Sequence, residues 1–374
     1  MSELSSNITS LIPVPGDRRR RWFVRQYRWL STDSVMAGLA RLGAVSILLM
    51  LAALITVLTY SAWPSITHYG AEFLIGSEWR PNELEVPVKD ARGHIVYEDG
   101  EMVTETLPPV FGALPVIYGT VVSSILALLF AVPLSFGSAL FLVRLCPRIL
   151  TATISFLVEF LAAIPSIAYG MWGLFVLAPF LQHNVEPRLH SALAWIPGVD
   201  AWLFVQTSNR AGHSITSQVP LTGRDMFCGG LVLAIMILPI ITAISRDVLK
   251  SVPRAQIEGT LALGATWWQS SFEMLRYSRS ALFGAVMLGL ARAVGETMAI
   301  TMVIGNNNQI NKSLFAPAQT MSSLLANEFA EASSPIHRAA LTEVALILLL
   351  MSLLFNIAAR WLVVGSNAKT SAAH

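Results

Sequence analysis

The chain has 374 residues, 54% of them hydrophobic and 13% charged, with a mean hydropathy of +0.59. An ordinary soluble domain carries about 25% charged residues, so a water-soluble enzyme and a disordered chain are both disfavoured. The 25 basic and 23 acidic residues leave a net charge of +2, too balanced for nucleic-acid binding driven by overall charge.

Apolar stretches of about 18 residues or more read as membrane spans, because about 20 helical residues cover the hydrocarbon core. Residues 1–43 form a basic extension with Arg18, Arg19, Arg20, Arg21, Arg25, Arg28 and Arg41. The apolar run behind it, 44–63, is long for a signal peptide and closes on no small-residue cleavage pattern, so it reads as a retained anchor with its basic end in the cytoplasm. The same cluster also suits contact with anionic lipid. An acidic outer link follows over 64–115, with room for a hairpin and little core. The second span covers 116–143 and the third 151–181. The outer link over 182–226 contains a half-apolar piece at 192–204 with Trp195 and Trp202, too short and broken to cross and suited to an interfacial helix. The fourth span is 227–245, a cytoplasmic link runs over 246–279, the fifth span is 281–304, and the sixth is 340–362 with a cytoplasmic tail at 363–374. Basic residues outnumber acidic ones in the segments this places inside, and the reverse holds outside, in accord with the positive-inside rule. Pro133, Pro165, Pro179, Pro239, Gly289 and Gly295 interrupt the spans, which membrane helices tolerate inside a packed bundle. Gly284, Gly289 and Gly295 are expected to permit close helix approach. Cys146 and Cys228 fall near opposite faces and are expected to pack, not pair.

Much chemistry has no home here. No lysine follows a glycine, so a P-loop is missing; the seven histidines show no metal-ligand spacing; no G-x-S-x-G occurs. The chain is expected to bind no cofactor or metal, and any ATP and Mg2+ to sit on another subunit.

Two constellations carry information. In the link over 246–279, Pro253 suits the start of a short helix bearing Glu258, and Gly264 suits a turn into a second helix. The product is a helical knob on the cytoplasmic face, either an unpartnered hairpin or a docking element. In the fifth span, Arg292 lies about 12 residues, or roughly 18 Å, from the start, near the bilayer middle. A charge there costs on the order of 3 kcal/mol or more, so it faces the bundle interior or water. Glu296, four residues on, is placed one helical turn away to neutralise it, and Glu159 in the third span is a further partner at comparable depth. A guanidinium fork matches the oxygens of a tetrahedral oxyanion. The residues alone also allow a salt bridge that only ties the fifth span to the third.

The run Glu258-Gly259-Thr260 with Gly264 resembles the EAA loop by which membrane subunits of binding-protein-dependent ABC importers dock onto their ATPase; it departs from the usual form at Gly259, Thr260 and Arg276-Tyr277. The stretch 289–306, with Arg-Ala-Val-Gly-Glu-Thr-Met-Ala-Ile-Thr-Met-Val-Ile-Gly-Asn inside it, resembles the permease subunits of high-affinity phosphate importers (the PstC type), as do 112–120, 160–170, 235–241 and 325–331. The resemblance covers about residues 110–362. It implies an all-α membrane protein with six transmembrane helices in the type I, MetI-like bundle, and no enzyme activity of its own. It also implies a second homologous permease, a cytoplasmic ATPase dimer and a periplasmic phosphate-binding protein as partners, in a bacterial inner membrane with both termini cytoplasmic. Arg292, Glu296 and Glu159 would then line the transport pathway, and Glu258 and Gly264 would couple to the ATPase. Permeases for sulfate or molybdate, a membrane-embedded enzyme using Glu159 and Glu296, and a channel or ion-driven carrier without an ATPase remain alternatives on the residues alone.

Overall fold

The structure is a computed structural model that describes residues 32–87, 97–98, 101–102, 104–193, 196, 205–210, 213–218 and 222–371. The arginines at 18–28, the centre of the first outer link and most of the piece at 192–204 lie outside those residues. Contacts divide the chain into Met1–Val57 and Leu58–His374. The described part of the first is the leading stretch of α1 (Thr32–Tyr69); the second holds the bundle.

Helices dominate because apolar residues run without a strand-like period and a backbone out of water must satisfy itself internally. After α1 come α2 (Leu114–Leu140), prolonged by a wider turn at Phe141–Leu145, α3 (Arg148–Ala162) and α4 (Ser166–Trp172), which continues helically to Leu193. Next are α5 (Met226–Lys250), α6 (Arg254–Ala262), α7 (Trp267–Tyr277), α8 (Arg279–Gly295), α9 (Met298–Val303), α10 (Met321–Glu328) and α11 (Pro335–Ser371). Short antiparallel strand pairs decorate the links, among them Leu84–Pro87 with Thr104–Leu107 and Val205–Arg210 with His213–Gln218.

Among the described residues, four helices are continuous, long and apolar enough to cross a membrane, over Val35–Tyr69, Leu114–Leu145, Met226–Lys250 and Pro335–Trp361. The expected third span is a pair of helices, Arg148–Ala162 and Ser166–Ala192, meeting at 87°; Pro165 removes an amide and forbids its predecessor a helical conformation. The expected fifth span, 281–304, is likewise not one helix. It stops at Gly295 and restarts at Met298, so among the described residues four of the six expected spans are single helices and two are broken.

The core is centred on α2 and α5. Ala127, Ala131, Leu233, Ile237 and Ile241 pack there with Ala285 and Ala293 of α8 and Ile300 of α9. A Cβ on Gly289 would stand 2.6 Å from Ile241 Cδ1, so this glycine does permit close approach, whereas Gly284 and Gly295 face open space. The Ser135 hydroxyl donates to Leu238 O at 3.1 Å, beside Pro239, which lies inside the continuous α5. The root of the first outer link adds more core than its composition suggested: Phe73, Trp79 and Phe111 are buried with Met321, Leu324, Leu341 and Val344. Trp79 Nε1 donates to Glu328 Oε2 at 2.8 Å, and His337 Nε2 lies 3.1 Å from the same oxygen, which fastens this link to α10 and α11. Both cysteines are free.

Candidate functional site

The break between α8 and α9 centres on Glu296, whose backbone is extended at φ −72° and ψ 127°. Helix interruption at membrane depth exposes polar backbone that needs new partners. Glu296 supplies one itself: its Oε1 accepts from Ala299 N at 3.4 Å, at the start of α9. Ser322 of α10 supplies another, donating from its hydroxyl to Glu296 O at 2.7 Å. Glu296 is buried, and its carboxylate is committed to the restart of the helix.

Arg292 sits one turn before the break, on an exposed part of α8. The expected pairing with Glu296 does not form, because leaving the helix at Gly295 takes the carboxylate off the face that i,i+4 spacing would have given it. Glu159 is not its partner either. Glu159 Oε1 accepts from Arg246 Nη2 at 3.0 Å, and Arg246 also holds its neighbour Asp247 at 2.9 Å. Arg246 is four residues, or about 6 Å, from the Lys250 end of α5, whereas Glu159 is eleven residues, about 16 Å, along α3. The first half of the bent pair therefore does not climb straight through the bundle, and Glu159 stays near the Lys250 end. Among the described residues Arg292 makes no ion pair. Tyr169 of α4 lies within electrostatic reach of it, and the Tyr169 hydroxyl donates to Leu161 O at 2.8 Å across the α3–α4 break. The two broken segments meet closely: a Cβ on Gly170 would stand 2.9 Å from the Ala299 Cα. Arg292, Tyr169 and the Glu296 break are thus brought together, and Glu159 is left out.

The link after α5 has the anticipated helix, elbow and helix. Pro253 caps α6, Glu258 is exposed on it, and Gly264 has φ +83°, a backbone state that only glycine adopts without strain. Thr266 and Gln269 then form a reciprocal capping box on α7. One face of the knob is anchored: Met274 is buried with Leu249, Val252, Ala139 and Leu282, and the Arg144 guanidinium stands 5.5 Å over the Trp267 ring. The opposite face is open and apolar, with Leu263 90% exposed and Trp268 and Phe272 also exposed. Nothing in the pattern around Arg144 or Ser322 singled these residues out, since each acts across a long sequence separation.

Residues 131–366 match the family model described as binding-protein-dependent transport system inner membrane component. The chain belongs to this family. It is therefore a permease subunit of the ABC-importer kind, not an enzyme. It is 40% identical to the phosphate transport system permease protein PstC of Mesorhizobium japonicum, over 92% of this chain and 94% of that protein. Against the Haemophilus influenzae protein of the same name, identity is 37% over 92% of this chain and 96% of that protein. A solved inward-facing structure of the MetNI methionine ABC transporter is similar at 17% identity with a TM-score of 0.43, covering 68% of this chain and 94% of that one.

Proposed function

We propose that this permease forms the membrane path of an ATP-driven phosphate importer and works by alternating access. Full-length relatives named as phosphate permeases support the cargo. The observation that carries the site is Arg292, a permanent cation about 20 Å along α8 from Arg279 and without an ion pair among the described residues. Such a charge is not tolerated against lipid, so the exposed side of α8 that bears it is covered by a second permease and a water-filled path between the two. There it is free to receive an oxyanion, with bidentate donors matched to phosphate oxygens. Because no ion pair among the described residues cancels its charge, the anion itself completes the site during passage.

The knob at Glu258 and Gly264 docks onto a cytoplasmic ATPase dimer that binds ATP and Mg2+. Closure of that dimer moves α6 and α7, which pull on α2 and α5 through the Met274 cluster and Arg144, and the bundle changes its open side. A periplasmic phosphate-binding protein delivers the anion. Both termini lie in the cytoplasm of a bacterium whose inner membrane holds the complex, with the basic extension against its lipid. Glu296 supports the pathway by keeping α9 in register, and Glu159 supports the Lys250 end through Arg246.

Labelled phosphate uptake into vesicles reconstituted with the second permease, the ATPase and the binding protein tests this reading. ATP-dependent accumulation that excess sulfate leaves unchanged is expected. Accumulation of sulfate or molybdate in place of phosphate would replace the cargo, and uptake without the ATPase would replace the mechanism.

A further inference from the structure

Glu186 and Asp225 are both fully buried, yet they are carboxyl groups within hydrogen-bonding reach of one another. Asp225 caps α5: its Oδ1 accepts from Cys228 N at 2.8 Å. Its other oxygen, and both oxygens of Glu186, have no formed hydrogen bond, the amide of Gly223 approaching Glu186 only loosely. The joint around them is tight. Gly223 has φ +66°, and a Cβ there would collide with the carbonyl of Ala178, so the turn before α5 is pressed onto the segment that continues α4.

Among the described residues no arginine or lysine forms an ion pair with this double acid. The titratable group facing it is Cys228, on the first turn of α5. His183 places its Nδ1 2.8 Å from Pro179 O; Arg188 and Arg224, on the flanking segments, and Lys312, ahead of the strand-like run that pairs with Met226 and Phe227, are exposed. His190 lies one turn beyond Glu186 on the same helix. Two carboxylates in contact and out of water cannot both be ionised without a compensating charge. A carboxylic acid beside a carboxylate can form one short O–H···O bond that satisfies orphaned oxygens.

We propose that Glu186 and Asp225 form a proton-binding site, in which one shared proton pins the segment continuing α4 to the start of α5. With the proton in place the pair is an acid–carboxylate hydrogen bond; without it two like charges face each other inside the joint. Burial also pushes the Asp225 carboxyl well above its usual range, in keeping with that proton. The direction follows from linkage: a carboxyl whose folded pKa is raised favours the folded joint at low pH and loses that contribution as pH rises through the folded value.

The test is an infrared titration of the full-length chain, purified with its co-expressed partner subunits, from mildly acidic to alkaline pH. The protonated-carboxyl carbonyl band of the native chain is expected to diminish as pH rises, and the part assigned to this pair to be missing in Glu186→Gln, which keeps a donor but cannot titrate. Asp225→Asn, which retains the cap on Cys228, should remove the same band. Thermal unfolding should parallel this, the larger part of the native chain's loss of midpoint toward alkaline pH being absent in Glu186→Gln. A band unchanged in both variants, or the same pH slope of unfolding in Glu186→Gln as in the native chain, would overturn the proposal. Retained co-purification with the partner subunits identifies variants that have folded.

Discussion

The separation of Arg292 from Glu296 makes a sharp prediction, because i,i+4 pairing and the observed break assign the carboxylate different work. Glu296 Oε1 accepts one long hydrogen bond, 3.4 Å, from Ala299 N. A cap of this kind contributes about 0.5–2 kcal/mol, and its length puts it at the low end. Gln at 296 keeps an accepting oxygen, so Glu296→Gln should cost under about 1 kcal/mol, less than about fivefold in uptake rate. Arg292→Gln removes a charge-assisted donor to the passing anion, a contact of about 1.5–3 kcal/mol, and should slow uptake by about 10–150-fold. With no contact between the two side chains their effects should multiply, and the double variant should match the product to within about 0.5 kcal/mol. The assay is initial phosphate uptake in reconstituted vesicles, with co-purification of the partner subunits as the control for assembly. Recovery of uptake in the double variant, relative to Arg292→Gln alone, would show that the two charges neutralise each other after all and would refute the argument.

Three further outcomes are expected. Glu258→Lys and Leu263→Asp, both on the open face of the knob, should each lower recovery of the ATPase in pull-down and abolish uptake, while the permease pair still co-purifies. Gly264→Val should cost about 1–2 kcal/mol of thermal stability, since its φ of +83° is forbidden to a β-branched residue although the space around it is open. Thr120→Val should cost about 1–3 kcal/mol, because the buried Thr120 Oγ1 accepts from Met321 N at 2.9 Å and its loss orphans that amide; Thr120→Ser should restore most of it, as read by thermal unfolding.

Four of the six apolar spans and the knob were legible in the residues because each rests on local order: a run of apolar side chains long enough to cross, or a proline and a positive-φ glycine that bracket a short helix. Pairing was not legible. Helical spacing put Glu296 beside Arg292 on the assumption that the helix continues, and the assumption fails where Ser322, some 26 residues away, and the Glu296 carboxylate itself satisfy the backbone that a break sets free. Glu159 looked solitary within its own segment, yet an 87° bend at Pro165 carries it to Arg246. Glu186 and Asp225, 39 positions apart with nothing in common but their charge, become one buried acid pair through a turn that Gly223 alone allows. Composition and periodicity report what each segment buries; which charges share a dry site depends on where bends and loops bring distant segments together, and that is a property of the packed bundle.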